Sequence, residues 1–303
     1  MENKKYVIGA DIGGTTVKLG LFEEDGTLLE KWEIPTVIEG DGTAVLRDIA
    51  AEIQKCREKH NIPADGILGV GAGIPGPVTA DGVVHRCVNL GWGVFDVRTA
   101  LEETVGLPVV VVNDANAAAM GEAWKGGGRG SENVVFITLG TGVGGAAGEC
   151  GHMTINPAET ETCACGRRGC VQQYVSASGI ARLARKYLAE HEGESALRSV
   201  EKLTTKDVFD AAKNGDSAAN AILENVYDAF GYAISAVCTV ADPEVVVIGG
   251  GVSKAGEVLV EGAKKGFLKY VFYPSTDVRF NLAVLGNDAG IYGCCKLLLD
   301  SLA

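Results

Sequence analysis

The chain has 303 residues, 47% of them hydrophobic, and a formal net charge of −12 at pH 7. This acidic balance argues against a nucleic-acid partner and favours a cytoplasmic protein. No apolar run approaches the ~20 residues of a membrane span, and residues 1–10 lack the apolar core of a secretory leader, so no membrane association is expected.

The apolar pattern predicts alternating strands and helices in two halves. In the first half it predicts strands at residues 6–10, 18–22 and 28–33, a helix at residues 42–60, strands at residues 67–72 and 109–112, and a helix at residues 115–125. A glycine-rich run at residues 126–130 is typical of a linker. In the second half it predicts strands at residues 134–138 and 245–248, helices at residues 178–191, 205–214, 217–239 and 287–302, and a helix that begins at Val252 and Ser253. A chain of this length and pattern favours an α/β protein of two domains.

The most informative stretch is a glycine-rich turn that follows the first predicted strand. Residues 11–18 are Asp-Ile-Gly-Gly-Thr-Thr-Val-Lys. Such a turn can cradle phosphate, because glycine tolerates positive φ and lets backbone N–H groups approach a ligand. A carboxylate at the strand end also suits Mg²⁺. An ordinary hairpin is the alternative for this pattern alone. The predicted nucleotide-binding residues here are Asp11, Gly13, Gly14, Thr15, Thr16 and Lys18.

Two further loops repeat the pattern of an apolar strand followed by glycine. Residues 139–145 are Leu-Gly-Thr-Gly-Val-Gly-Gly, and residues 245–251 are Val-Val-Val-Ile-Gly-Gly-Gly. Each alone fits a plain turn between strand and helix, but three such loops in one chain favour nucleotide binding. The predicted nucleotide-binding residues in these loops are Gly140, Thr141, Gly142, Gly249, Gly250 and Gly251.

A carboxylate follows the predicted strand at residues 109–112. Asn113 and Asp114 stand between this strand and an alanine-rich helix. At the carboxyl end of a buried strand, Asp114 faces the ligand crevice of an open α/β sheet, where phosphoryl transfer needs a base. The alternative is that Asp114 merely caps the helix. Glu122, on the same helix, is expected on a solvated face or as a structural partner.

Three closely spaced cysteines and a histidine form one candidate metal site. Cys163, Cys165 and Cys170 follow His152 in a glycine-containing loop. Three thiolates and one imidazole match a closed, structural zinc site with no position left for chemistry. Free thiols in a loop are the alternative. The other six cysteines are scattered, which is typical of reduced thiols rather than of a disulfide framework.

These loops and several further motifs resemble those of the ROK family (repressors, open reading frames, kinases). The motifs are Gly-Ala-Gly-Ile-Pro-Gly-Pro at residues 71–77, Asn-Leu-Gly-Trp at 89–92, Asn-Asp-Ala-Asn-Ala-Ala at 113–118, Glu-Cys-Gly-His at 149–152 and Cys-Ala-Cys-Gly-Arg-Arg-Gly-Cys at 163–170. The resemblance covers nearly the whole chain, and the cysteine motif is specific to this family. It implies an actin-like ATPase (ribonuclease H-like) sugar kinase fold, with a cleft between two α/β domains. The smaller domain would be residues 1–125 with the helix at 287–303 packed back on it, and the larger domain would be residues 126–286.

The resemblance also implies an activity and roles for individual residues. It implies ATP-dependent phosphorylation of a hexose at O6, with glucose favoured, by a cytoplasmic homodimer in which Asp114 matches the catalytic base. The implied cofactors are ATP, catalytic Mg²⁺ and structural Zn²⁺. The implied sugar-binding residues are Asn89, Asn113, Asp114, Glu149, His152 and Gln172, and the implied zinc ligands are His152, Cys163, Cys165 and Cys170.

Two departures from the family pattern leave alternatives open. The family usually carries Glu where this chain has Gln172, which keeps an acceptor oxygen but loses the charge. The link at residues 146–148 lacks a strand and hairpin of the family pattern, and we expect the complete protein to carry that loop. The alternatives to a glucose kinase are a non-catalytic sugar-binding protein, a decayed kinase, or a kinase for fructose, N-acetylmannosamine or allose.

Overall fold

The computed structural model describes residues 4–38, 42–145 and 148–303, which form two compact units. The first unit takes in the described residues up to Arg129 together with Asn287–Ala303, and the second unit is Gly130–Gly286. The predicted missing loop falls at Ala146 and Ala147, which lie outside the described residues.

The elements of the described residues alternate between strands and helices along most of the chain. The strands are β1 (Tyr6–Ile12), β2 (Thr16–Glu23), β3 (Leu28–Pro35), β4 (Ile67–Ile74), β5 (Val83–Val84), β6 (Phe95–Asp96), β7 (Val109–Asn113), β8 (Val134–Leu139), β9 (Val143–Gly145), β10 (Val245–Gly249) and β11 (Arg279–Leu282). The helices are α1 (Ala44–Lys59), α2 (Val97–Val105), α3 (Asp114–Lys125), α4 (Gln172–Val175), α5 (Ala177–Glu190), α6 (Thr205–Lys213), α7 (Ser217–Ala241), α8 (Glu257–Phe267) and α9 (Ala289–Leu302). Within these ranges, every helix is too short or too polar to cross a membrane.

The first unit is built on a five-stranded sheet in the order β3-β2-β1-β4-β7. Strands β1, β2 and β3 form an antiparallel meander, whereas β4 and β7 run parallel to β1. Val7 and Ile8 are both fully buried although they point to opposite faces, because helices cover the sheet on both sides. The carboxyl ends of β1 and β7 share one edge of the sheet, and this edge carries Asp11 and Asn113.

Each face of this sheet packs against a different helical layer. Helix α1 contributes Val45 and Ile49 to the core that contains Ile8, and these residues recur at helical spacing. Val7 packs in a separate cluster with Ile291 of α9.

Helix α9 lies so close to its neighbours that only glycine fits at the contacts. A Cβ on Gly71 would lie 1.8 Å from the carbonyl oxygen of Cys294, and a Cβ on Gly293 would lie 1.7 Å from that of Ala117. These contacts fix α9 against β4 and α3. A Cβ on Gly290 would meet the Asp11 carboxylate at 2.6 Å, so the helix also forms one wall around that side chain.

The second unit is built on a four-stranded sheet in the order β11-β10-β8-β9. Strands β8, β10 and β11 are parallel, and β9 returns antiparallel to β8. All five residues of β10 are buried, as expected for a parallel strand inside a sheet. The turns that follow β8 and β10 are the second and third predicted glycine loops, and both lie at the carboxyl ends of parallel strands.

Most predicted elements are present, with boundaries that differ by a few residues. The structure adds helices α2 and α4, strands β9 and β11 and the short β5–β6 pair, which the apolar pattern did not predict. The helix predicted to begin at Val252 is a 3₁₀ turn at Gly251–Ala255 followed by α8. The linker predicted at residues 126–130 is a run of turns that includes the boundary between the two units.

Candidate active site

The first glycine loop is a tight hairpin between β1 and β2. The Gly13 N–H donates to the Thr16 carbonyl oxygen at 3.0 Å, and Thr36 Oγ1 donates to the Gly13 carbonyl oxygen at 2.6 Å. Neither Gly13 nor Gly14 has a positive φ, so the left-handed conformation that glycine permits is not used here. Glycine is required for space instead, because a Cβ on Gly14 would lie 2.9 Å from Asn89 Cβ. A predicted sugar-binding residue thus packs against a predicted phosphate loop.

Asp11 lies half-buried beside this hairpin. Burial raises the pKa of its carboxyl group, the Lys18 ammonium lowers it, and the charge of Asp114 raises it again. The carboxylates of Asp11 and Asp114 therefore repel each other electrostatically at one edge of the sheet. A divalent cation would relieve this repulsion, and oxygen ligands of this kind suit Mg²⁺.

Helix α3 is capped by Asn113, which corrects the alternative that Asp114 serves as the cap. Asn113 Oδ1 accepts the N–H groups of Ala115 at 2.9 Å and of Asn116 at 3.2 Å. Its Nδ2 donates to the Gly76 carbonyl oxygen at 2.9 Å. Asp114 is the first residue of the helix, and the cap does not depend on its carboxylate.

The environment of Asp114 suits a carboxylate that accepts a proton. Burial raises the pKa of its carboxyl group, and hydrogen bonds from Ala115, from its own backbone and from Asn113 oppose the rise. Its Oδ1 accepts the Ala115 N–H at 2.8 Å, which fixes the orientation of the side chain. A carboxylate with a raised pKa is a stronger base than an exposed one.

The second glycine loop, residues 140–142, is the turn between β8 and β9. It is closed by the Gly140 N–H, which donates to the Gly142 carbonyl oxygen at 2.9 Å. The start of α5 holds it from outside, because the Ala177 N–H donates to the Gly140 carbonyl oxygen at 2.8 Å and Ser178 Oγ donates to that of Thr141 at 2.7 Å. The predicted phosphate-binding residues Gly140, Thr141 and Gly142 are therefore brought together on one fixed turn.

The third glycine loop lies close to the end of β8. Gly250 has a φ of +83°, and a Cβ there would lie 2.6 Å from the Leu139 carbonyl oxygen. Gly251 borders a pocket of about 440 Å³ inside the second unit. Apolar side chains, three lysines, two threonines and one aspartate line the rest of the pocket. They come from the starts of α5 and α8, from α6 and the residue before it, and from the turn after β10, namely Ala177, Thr204, Thr205, Lys206, Phe209, Asp210, Lys213, Val252, Lys254, Ala255 and Val258. Sequence reasoning did not find these residues, although Lys206, Phe209 and Lys213 recur at helical spacing and so share one face of α6.

The four predicted zinc ligands lie together in the second unit. One ligand atom from each of His152, Cys163, Cys165 and Cys170 lies within 4.8 Å of the others. The Sγ atoms of Cys165 and Cys170 are 3.6 Å apart, close to the ~3.8 Å edge of a tetrahedron with zinc–sulfur bonds of ~2.3 Å. His152 Nδ1 is buried and finds no hydrogen-bond partner among the described residues. Donor types and spacing therefore fit a zinc ion.

Residues 152–170, called the metal loop below, turn sharply at two glycines. Gly166 has a φ of +84°, and Gly169 has a φ of +72° with room for no Cβ, since Asn156 O would lie 1.9 Å away. The two turns bring the cysteines back toward each other. Burial raises the pKa of the Cys163 thiol, but hydrogen bonds from Cys165, Gln172 and Cys170 outweigh this effect and lower the pKa to about 7.

A buried ion pair that was not predicted from the sequence holds the metal loop against α5. Arg182 pairs with Glu159 at 3.0 Å and donates to the Gln173 carbonyl oxygen at 3.0 Å. Tyr174 Oη donates to Glu159 at 2.8 Å. Burial raises the pKa of Glu159, but hydrogen bonds from the Glu161 backbone, Tyr174 and Arg182, together with the Arg182 charge, outweigh it and lower the pKa to about 2.

The predicted sugar-binding residues are divided between the two units. Asn89, Asn113 and Asp114 belong to the first unit, and Glu149, His152 and Gln172 belong to the second. Glu149 is exposed and precedes the 3₁₀ turn Cys150–His152, where the His152 N–H donates to its carbonyl oxygen at 2.9 Å. Gln172 is the first residue of α4, and its Nε2 lies 3.0 Å from Cys163 Sγ.

Comparison with known proteins finds relatives that match nearly the whole chain. The glucokinase of Halalkalibacterium halodurans is 40% identical over 95% of this chain and 93% of its own length, and that of Thermotoga maritima is 33% identical over 99% of each. The first alignment runs over 308 positions, more than the 303 residues of this chain, so that relative carries residues with no counterpart here.

A solved structure is also similar to this chain over nearly its whole length. The ROK family glucokinase of Streptomyces griseus, solved in complex with glucose and AMPPNP, is 30% identical and superposes with a TM-score of 0.71 over 96% of this chain and 98% of that one. The predicted two-domain sugar kinase fold is thereby confirmed. The ROK family model matches residues 7–301, and with this match over nearly its whole length the chain belongs to the ROK family.

Proposed function

We propose that the protein transfers the γ-phosphoryl group of MgATP to the O6 hydroxyl of glucose and releases glucose 6-phosphate and ADP. The observation that carries the proposal is Asp114, a carboxylate directly after the carboxyl end of the parallel strand β7, in a chain whose relatives are named glucokinases. Because Asn113 caps the helix, the Asp114 carboxylate is available for proton transfer.

In this proposal Asp114 is the general base. Its carboxylate takes the proton from the sugar O6 hydroxyl while that oxygen attacks the γ-phosphorus, and the bond to the β–γ bridging oxygen breaks. The raised pKa of Asp114 supports this role, because it brings the basicity of the carboxylate closer to neutral pH. We propose Asn89, Asn113, Glu149, His152 and Gln172 as the residues that orient the sugar.

The three glycine loops would hold the nucleotide. The hairpin at Gly13–Gly14 with Thr15, Thr16 and Lys18, and the second glycine loop, would donate hydrogen bonds to phosphate oxygens. Asp11 would hold Mg²⁺, which supplies positive charge to the phosphates. The pocket beside Gly251 would take the adenosine, since its apolar walls suit a ring and its volume falls in the usual range for ligands.

We also propose a structural zinc ion in the metal loop. Three thiolates and the His152 imidazole would complete its shell, so the ion would stabilise the loop and position His152 and Glu149 for the sugar. Arg182 and Glu159 support the same loop from the side of α5.

The remaining expectations have their own checks. A homodimer in the cytoplasm is proposed from family membership, and sedimentation of the purified protein tests the dimer. A coupled assay with glucose and MgATP tests the activity, and a panel of fructose, N-acetylmannosamine and allose at fixed MgATP tests the substrate. Sugar binding without turnover would instead favour a decayed kinase. The short link at residues 146–148 is the reason to consider this alternative.

A further inference from the structure

We propose that Gln172 is a positioning residue that joins the metal loop to the second glycine loop, an inference that rests on the zinc site of the proposed function. The two ends of its amide contact different loops. Nε2 donates to Cys163 Sγ at 3.0 Å, and Oε1 lies 3.1 Å from the place where a Cβ on Gly142 would stand. One side chain therefore forms a hydrogen bond to a proposed zinc ligand and fills the space beside the Cα of Gly142 in the second glycine loop.

The chemistry of the first contact suits an amide at position 172 better than a carboxylate. A thiolate bound to zinc carries negative charge, and an N–H donor stabilises that charge. A carboxylate has no proton to donate at neutral pH and would add a second negative charge next to Cys163. The family pattern has glutamate at this position, whereas Gln172 supplies a hydrogen-bond donor to the sulfur of Cys163. This role is additional to any contact that Gln172 makes with the sugar.

The backbone around Gln172 continues the connection. The Gln172 carbonyl oxygen accepts a hydrogen bond from Ser176 Oγ at 2.6 Å. The next two residues, Ala177 and Ser178, donate to the carbonyl oxygens of Gly140 and Thr141 at 2.8 Å and 2.7 Å. A displacement of the metal loop at Cys163 is therefore passed through α4 to the residues proposed to hold phosphate.

The test uses cobalt in place of zinc, because cobalt bound to thiolate gives a charge-transfer band that reports on the sulfur. Two variants remove the donor: Gln172→Met keeps the side-chain length without an N–H, and Gln172→Glu adds the charge. We expect both to shift the band to lower energy and to release metal to a chelator roughly 10–100-fold faster, as is typical when a partner of a metal ligand is lost. We also expect both to raise the KM for MgATP more than the KM for glucose. Gln54→Glu makes the same charge change on the exposed face of α1, outside the unit that holds the metal loop, and should match the wild type.

Two outcomes overturn the inference. One is a Gln172→Met variant whose band and metal-release rate equal those of the wild type. The other is a wild-type protein that binds no cobalt, which would remove the metal loop as a metal site. Failure of the kinase proposal is separate: a wild-type protein without turnover on any sugar, but with a band that shifts on substitution of Gln172, would leave this inference standing.

Discussion

Replacing Asp114 by asparagine separates its proposed chemical role from any structural role. Asparagine has nearly the same shape and keeps an oxygen for the Ala115 N–H, now 2.8 Å from Oδ1. The cap on α3 comes from Asn113, so the helix start is unchanged. We therefore expect the free energy of unfolding to change by no more than about 1 kcal/mol. Loss of a general base should lower kcat by about 10²–10⁴, which is roughly 3–5 kcal/mol of transition-state stabilisation.

The pH profile supplies a second readout for Asp114. The base must be ionised to accept a proton, so kcat/KM should fall as the pH is lowered through its pKa. Because burial raises that pKa, the fall should begin above the pH at which an ordinary aspartate, with a pKa of 3.8, would titrate. The acid limb should be absent from the residual activity of Asp114→Asn.

A matched control and a clear refutation complete the experiment. Asp96→Asn makes the same change at the start of α2, where the exposed side chain accepts the Thr99 N–H at 3.0 Å and asparagine caps equally well. This variant should keep full activity in the coupled assay with glucose and MgATP. If Asp114→Asn retains more than about a tenth of the wild-type kcat, the loss is too small for a general base and the assignment fails.

Four further predictions test the metal, the third glycine loop, the buried ion pair and the short link. Purified protein should contain near-stoichiometric zinc by elemental analysis, and Cys165→Ala should lose it and melt earlier, whereas Cys56→Ala should keep its zinc. Gly250→Ala should cost about 1–3 kcal/mol of stability in denaturant unfolding, because its φ is +83° and its Cβ would meet Leu139, while Gly251→Ala should not, since nothing lies within 4 Å of its Cβ. Glu159 has its pKa lowered from 4.5 to about 2, so the stability it contributes is complete above pH 4.5 and is lost as the pH falls toward 2; Glu159→Gln should remove that acid limb. The intact mass should exceed 31.5 kDa if a loop belongs at residues 146–148, and a mass of 31.5 kDa would show that the link is as short as the sequence has it.

The elements that the sequence predicted well are those whose burial follows a simple period. Strands such as β1 and β8 are apolar runs followed by glycine, and α1 repeats apolar residues every three to four positions. For helix α8 the sequence indicated only a helical start at Val252 and Ser253 and not its extent, because glycines interrupt its apolar face. Gly262 and Gly266 are there because Tyr227 and its backbone leave no room for a side chain, a constraint that arises only when α7 packs against α8.

The same distinction separates the site residues that could be predicted from those that could not. The residue type and spacing of Cys163 and Cys170 predict a metal site. The position of Asp114 directly after an apolar strand predicts a residue of the ligand site. Arg182 is 23 residues from Glu159 along the chain, and no local pattern links the two, so their ion pair becomes visible only when the metal loop folds onto α5. Glu122 shows that a residue type alone leaves such a role undecided. Of its two expected roles, the solvated helix face is wrong and the structural partner is confirmed, because Glu122 is fully buried and accepts the Gly127 N–H at 2.8 Å. Sequence therefore identifies the groups that perform chemistry more readily than the groups that hold them in place, because the first are set by residue type and the second by long-range packing.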